Sequence, residues 1–244
     1  MLAVEPRTSE VTVRGHEVAL HRWGGEPDVV LVHGIGVSHR YFRPLAAHLA
    51  REGRGVLAPD LPGFGRSPRP RRPLTIEEHA RVLAELLDPL LDPSRPATVL
   101  GHSMGAQVAT ELALVRPDLV RSLVLLGPVT DPAARSAGRQ ARRLLRDVRR
   151  ESVAANVLML RDWLRCGPRW YAASLGPMVD YPLGDRLAQV RPPVTLLRGE
   201  HDPVTPREVL ARWAAEHPEP VLAEVPGEGH VAMLRRPELV ARWV

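Results

Sequence analysis

Apolar positions along the chain follow two rhythms. Uninterrupted runs at 29–34 (VVLVHG), 55–60 (GVLAPD), 97–100, 122–126, 194–198 and 221–225 read as strands buried on both faces. Between them, apolar residues recur at helical spacing over 41–51, 75–91, 104–116 and 206–217, and from 231 onward. Thr75 and Glu78 form a capping-box pair that opens the second of these helices. Ahead of this series, alternating segments at 11–14 and 18–23 predict an antiparallel pair turned at Gly15-His16. Strands alternating with helices predict an α/β fold, a mostly parallel central sheet with helices on both faces. Residues 128–190 break the rhythm. They hold helical patterns rich in Arg, Leu and Trp and no strand-like run, which predicts a helical insertion over one edge of the sheet.

Composition narrows the picture. A chain of 244 residues, 44% apolar, suits one domain or one domain carrying an insertion. With 4% aromatics, its core is built mainly from Val, Leu and Ala. The net charge is +5, and because no lysine occurs, all 33 basic residues are arginine. They are mostly scattered among 28 acids, which argues against nucleic-acid binding. Cys166 is alone, so neither an intrachain disulfide nor a thiolate metal site can form, and no metal or cofactor is expected. No stretch approaches the roughly 18 apolar residues of a membrane span. The N-terminal residues lack a signal-peptide core, so the expected location is cytoplasmic.

Candidate chemistry centres on residues 98–109, TVLGHSMGAQVA. Glycine weakens strands and helices alike, yet Gly101 and Gly105 flank Ser103 where a strand gives way to a helix. A sharp turn there lets Ser103 project from the backbone, provided that its neighbours are small. A G-x-S-x-G pattern arises by chance in about one chain in ten of this length, so the strand–helix context carries the weight.

A serine hydroxyl needs a base, and in this arrangement the chain order is serine, acid, histidine. Asp202 follows the run at 194–198, and His230 follows the run at 221–225. Both therefore fall at strand carboxyl ends, where open parallel sheets bind ligands. His230 is the candidate general base, and Asp202 the acid that orients it. Glu200 and Glu228 are fallback acids, with Asp131 a weaker alternative. His201 adjoins its own acid, and His102 must point away from the neighbouring serine. For an oxyanion, the candidate donors are the backbone N–H groups of Met104 and of Ile35, the latter in the HGIG loop after residues 29–32.

These segments, VHGIG, DLPGFGRS, GHSMG, GEHDPVTP and GEGHVAML, come in an order that resembles the α/β-hydrolase superfamily, from about residue 11 to 244. The resemblance implies a Ser103–Asp202–His230 triad, an oxyanion hole at Ile35 and Met104, and a helical cap over about 131–187 between core segments 1–130 and 188–244. Serine at 103, in place of aspartate, sets the chain apart from the dehalogenase and epoxide-hydrolase branches. It looks like a bacterial carboxylesterase acting on small to medium acyl esters. A thioesterase, a C–C bond hydrolase or an acyltransferase would use the same triad, and a binding protein that keeps the fold without turnover is the reading from another class.

Within the insertion, Val153, Val157, Leu160 and Leu164 share one helical stripe. Together with Met159, Trp163, Trp170, Tyr171 and Met178 they form either a pocket roof or packing onto the core; Met159, Trp163 and Trp170 are the candidate substrate contacts. Arg135, Arg139, Arg142, Arg143, Arg146, Arg149 and Arg150 make the densest basic run. Such a run is either a solvated face or a docking face for an acidic partner such as an acyl carrier protein.

Overall fold

A computed structural model of the chain describes residues 5–129 and 153–244; Asp131 and the arginine run from Arg135 to Arg150 lie outside them. The strands are β1 (Arg7–Val13), β2 (His16–Trp23), β3 (Pro27–Val32), β4 (Gly55–Pro59), β5 (Ala97–His102), β6 (Val120–Leu126), β7 (Val194–Gly199) and β8 (Val221–Val225). They form one sheet in the order β1-β2-β4-β3-β5-β6-β7-β8. Pairing from β4 to β8 is parallel, while β2 runs antiparallel to both β1 and β4.

Helices α1 (Arg43–Arg51), α2 (Ile76–Leu87) and α3 (Met104–Val115) connect the parallel strands in the first half. Between β6 and β7 stand α4 (Val153–Cys166), α5 (Pro168–Asp180) and α6 (Leu183–Leu187), followed later by α7 (Arg207–Glu216), α8 (Ala232–Arg235) and α9 (Pro237–Ala241). The absence of polar alternation in β3 is explained by two apolar layers. Val30 and Val32 join α2, α3 and α7 on one face, while Val29 and Leu31 join α1, α8 and α9 on the other. All four side chains are fully buried.

Local chemistry accounts for where the element ends depart from the pattern. The hairpin turns at Arg14-Gly15, one residue earlier than the alternation suggests, with φ of 51° and 75°. Two successive positive φ values define a type I′ turn, whose twist matches the flanking strands. The sequence pattern misses the start of β1 at Arg7 because its first residues are exposed and polar, leaving no apolar alternation to read. Thr75 and Glu78 do form the reciprocal cap of α2, at 3.2 and 2.9 Å. Pro237 interrupts the last helix and divides it into α8 and α9.

Buried polar contacts fasten α4–α6 to the sheet. Asp162 of α4 accepts from Ser38 Oγ at 2.5 Å and from Arg40 Nη1 at 3.0 Å. Glu111 of α3, also buried, accepts from Tyr181 Oη at 2.8 Å and from both Nε and Nη2 of Arg186 at 2.5 and 2.9 Å. The apolar stripe of α4 faces the opposite way from its expected role. Val157, Leu160 and Leu164 are 50%, 53% and 73% exposed, so they neither roof a pocket nor pack on the core. Periodicity identifies residues that share a face but not the direction in which that face turns.

Five strand ends, those of β3, β5, β6, β7 and β8, lead into the loops around Ser103. Their closeness depends on how tightly α3 sits on the sheet. A Cβ at Gly105 would lie 2.1 Å from Val32 O and 2.6 Å from His33 O, both rigid backbone. Helix propensity alone would reward Gly105→Ala by about 0.5–1 kcal/mol. The clash is expected to win, giving a net loss of about 1–3 kcal/mol in urea unfolding. A variant as stable as the parent would show that this glycine does not set the helix–sheet distance.

Candidate active site

Ser103 caps α3 with φ 56° and ψ −120°, which places a non-glycine residue in the left-handed region. Strain of this kind costs of order 1–3 kcal/mol and persists only where the surroundings enforce it. Here the enforcement is steric and hydrogen-bonded. A Cβ at Gly101 would meet Gly105 O at 2.3 Å, so the strand can turn into the helix only with glycine there. The Ser103 N–H donates to Leu126 O at 3.1 Å, which anchors the turn to β6.

Asp202 and His230, 28 residues apart, meet at the ends of β7 and β8, with Oδ2 and Nδ1 2.9 Å apart. The other Asp202 oxygen accepts from the Val204 and Thr205 amides at 2.7 and 3.2 Å. Burial alone would raise the pKa of this carboxyl, but His230 and the two amides outweigh burial and hold it below its ordinary value. The loop itself is clamped by Arg198, a buried arginine that the sequence reading did not single out. Its guanidinium donates to Thr205 O, Asp202 O and Glu224 Oε1 at 2.9, 3.0 and 2.6 Å. Gly127, likewise unforeseen, makes room beside the pair. A Cβ there would fall 2.9 Å from His230 Nδ1 and 3.2 Å from Asp202 Oδ2.

Ser103 and His230 line one cavity of about 40 Å³, shared with Gly34, Ile35, Val37, Tyr41, His102, Val231 and three residues of α4 and α5, Met159, Trp163 and Tyr171. Of the expected substrate contacts, Met159 and Trp163 are at the cavity. Trp170 is not: its indole packs on Gly63, beneath the Arg69 guanidinium at 5.9 Å. Tyr171 supplies the second aromatic ring instead. It stands so close to Gly36 that a Cβ there would lie 2.7 Å from the ring. The Ile35 side chain borders the cavity, and Met104 opens α3 immediately after Ser103. Among the described residues, neither of their N–H groups donates to a protein acceptor.

The fallback acids are engaged elsewhere. Glu200 accepts from the Gly227 amide at 2.8 Å, and Glu228 faces Arg235 and Arg236 at 3.5 Å each. His201 is exposed. His33 is buried and neutral: Nδ1–H donates to Gly34 O and Nε2 accepts from the Leu61 amide, each at 2.8 Å. Burial lowers its pKa.

Among the described residues, one group has the donor set for a metal ion: His21, His39 and Asp60. Both Asp60 oxygens already accept backbone N–H groups, from His39 at 2.8 Å and Arg66 at 2.9 Å. The two imidazoles reach the same oxygens at 3.3 and 2.9 Å and stack with centroids 3.3 Å apart. A saturated carboxylate beside a stacked pair of rings fits a hydrogen-bonded knot joining β2 to the loops after β3 and β4, and does not fit a coordination sphere.

The alpha/beta hydrolase family model matches residues 29–243. Lipase LipV of Mycobacterium tuberculosis is 42% identical over 114 residues, 46% of this chain and 42% of that protein. The matched stretch thus spans less than half the length of that relative. Pimeloyl-[acyl-carrier protein] methyl ester esterase of Aeromonas salmonicida is 30% identical over 233 residues, covering 82% of this chain and 88% of the relative. The solved structure of a thermophilic esterase from Thermogutta terrifontis superposes with a TM-score of 0.80 at 24% identity, over 97% of this chain and 96% of that one. No helix among the described residues is long and apolar enough to cross a membrane.

The depressed pKa of Asp202 has a measurable sign. Below its ordinary value of 3.8, the unfolded chain takes up this proton before the folded one, so acidification removes stability. Asp202→Asn cannot titrate. It is expected to cost about 1–3 kcal/mol at pH 7. The gap between parent and variant should hold down to about pH 5 and shrink as the pH falls through 4 toward 3. Urea unfolding across that range checks it, and a gap that widens on acidification would contradict the assignment.

Proposed function

Because the chain belongs to the alpha/beta hydrolase family, we propose that it cleaves carboxylic esters of small to medium acyl groups through an acyl-enzyme intermediate. Ser103 Oγ adds to the ester carbonyl while His230 Nε2 takes its proton. Asp202 holds the imidazole by Nδ1 and offsets the charge of the imidazolium. The Ile35 and Met104 amides stabilise the tetrahedral oxyanion. On collapse, the proton passes from His230 to the departing alcohol oxygen, leaving the acyl group on Ser103. Water then repeats the sequence with His230 as base, releasing the carboxylic acid and restoring the serine. The helices α4–α6 act as a cap, with Met159, Trp163 and Tyr171 as the acyl-side wall. The observation that carries this reading is the Asp202–His230 hydrogen bond at the rim of a cavity that Ser103 also lines.

Ester over thioester or C–C cleavage is supported by the relatives, since the Aeromonas protein is named as a methyl ester esterase and the mycobacterial one as a lipase. A short acyl group is supported by the small size of the cavity. Its volume is about 40 Å³, and the surrounding side chains are mainly apolar.

A fluorophosphonate probe is expected to label Ser103 in the parent and fail on Ser103→Ala, whose kcat should drop by about 10³-fold or more. Ester turnover within tenfold of the parent would refute the assignment. On a p-nitrophenyl ester series, the optimum is expected among the shortest acyl chains and should move to longer ones in Trp163→Ala. An unmoved optimum would remove Trp163 from the acyl wall.

A further inference from the structure

The loops that flank Ser103 are joined by side chains for which the chemistry above has no role. The Gly34 N–H donates to Tyr41 Oη at 2.8 Å. Tyr41 Oη lies 2.9 Å from His102 Nδ1, and His102 Nε2 lies 2.9 Å from the carbonyl oxygen of His230. Tyr41, His102 and His230 are all buried, at 0%, 2% and 4% exposure.

One arrangement of hydrogens satisfies every atom in this chain. A carbonyl oxygen can only accept, so His102 carries its hydrogen on Nε2 and donates to His230 O. Its Nδ1 lone pair then accepts from the Tyr41 hydroxyl, whose oxygen in turn accepts from Gly34 N–H. A second hydrogen on His102 would leave the Tyr41 O–H without an acceptor there. Burial, reinforced by the neighbouring His230, holds the His102 pKa down to about 3, so the ring stays neutral where an esterase would work. Burial likewise keeps the Tyr41 phenol protonated.

We propose that Tyr41 and His102 are positioning residues for ester hydrolysis, a hydrogen-bonded relay that locks the Gly34–Ile35 backbone and the His230 backbone to one another across Ser103. The inference rests on the function proposed above. At one end, the relay engages the Gly34 amide and so fixes the backbone that presents the Ile35 N–H. Gly34 itself is so near the serine that a Cβ on it would lie 3.0 Å from Ser103 Cβ. At the other end, it holds the His230 main chain, and with it the direction in which the imidazole leaves Asp202. His102 is bonded to Ser103 in sequence, so donor loop, nucleophile and base loop share one reference. Misplacing a catalytic group by 1 Å can cost about a hundredfold in rate, so the relay's effect falls on turnover more than on substrate affinity.

The test uses the full chain with p-nitrophenyl acetate, after fluorophosphonate labelling of parent and Ser103→Ala. Tyr41→Phe and His102→Leu are each expected to lower kcat at least about tenfold with KM within about threefold, at temperatures where circular dichroism shows them folded. His102→Gln keeps an N–H for His230 O and is expected to stay within about threefold of the parent kcat. Gln no better than Leu, or a smaller loss than tenfold in both disrupting variants, would overturn the relay while leaving Ser103 chemistry intact. If Tyr41→Phe does not fold, the Gln and Leu pair decides alone. A parent that the probe does not label removes the proposed function, and the relay with it.

Discussion

The backbone at Ser103 passes from a buried strand to a buried helix within a single residue of positive φ. That passage is sterically open only because no Cβ stands at 101, where it would strike the Gly105 carbonyl, or at 105, where it would strike Val32 and His33. The same two absences bring α3 close against β3 and β5. Widening the junction would draw the α3 amino end away from the loop after β3, and Ser103 and Ile35 would no longer border one cavity. The steric constraint at the turn is thus also what organises the surrounding loops.

Electrostatics act on top of that geometry. Several ionisable groups around the cavity are buried, and each has its protonation state set by specific partners. Asp202 stays ionised because two amides and an imidazole replace the water it has lost. His33 and His102 stay neutral because burial disfavours their charged forms, and each neutral ring finds one acceptor for its N–H and one donor for its lone pair. Neutral neighbours matter beside His230, whose ring centroid lies 4.6 Å from that of His102. A second cation at that distance would oppose formation of an imidazolium.

Much of this was legible in the sequence, for a physical reason. Buried parallel strands leave long apolar runs, and the loops at their carboxyl ends carry the glycines, Ser103, Asp202 and His230 as short local signals. What escaped depends on contacts between residues far apart in sequence. Gly127 reads as an ordinary strand-end glycine until His230, 103 positions later, is seen occupying the space a side chain would fill. Tyr41 looks like the start of an amphipathic helix, and its hydroxyl acquires a role only through His102. Arg198 left a trace, a charge closing an apolar strand, though not the identity of the loop it clamps. Trp170 and Trp163 share a segment and a chemistry, and no local pattern separates the one at the cavity from the one against Gly63.

Asp162 ties α4 to the loop after β3 through Ser38 and Arg40, and its carboxylate is buried at the junction. Hydrogen bonds to charged groups are worth about 1.5–3 kcal/mol each, so a state with α4 swung outward would be a minor species. The α4 side of the cavity, with Met159 and Trp163, is thereby held in a fixed relation to the loop after β3. Exchanging Met159 or Trp163 would therefore reshape that wall while leaving the junction that carries it untouched.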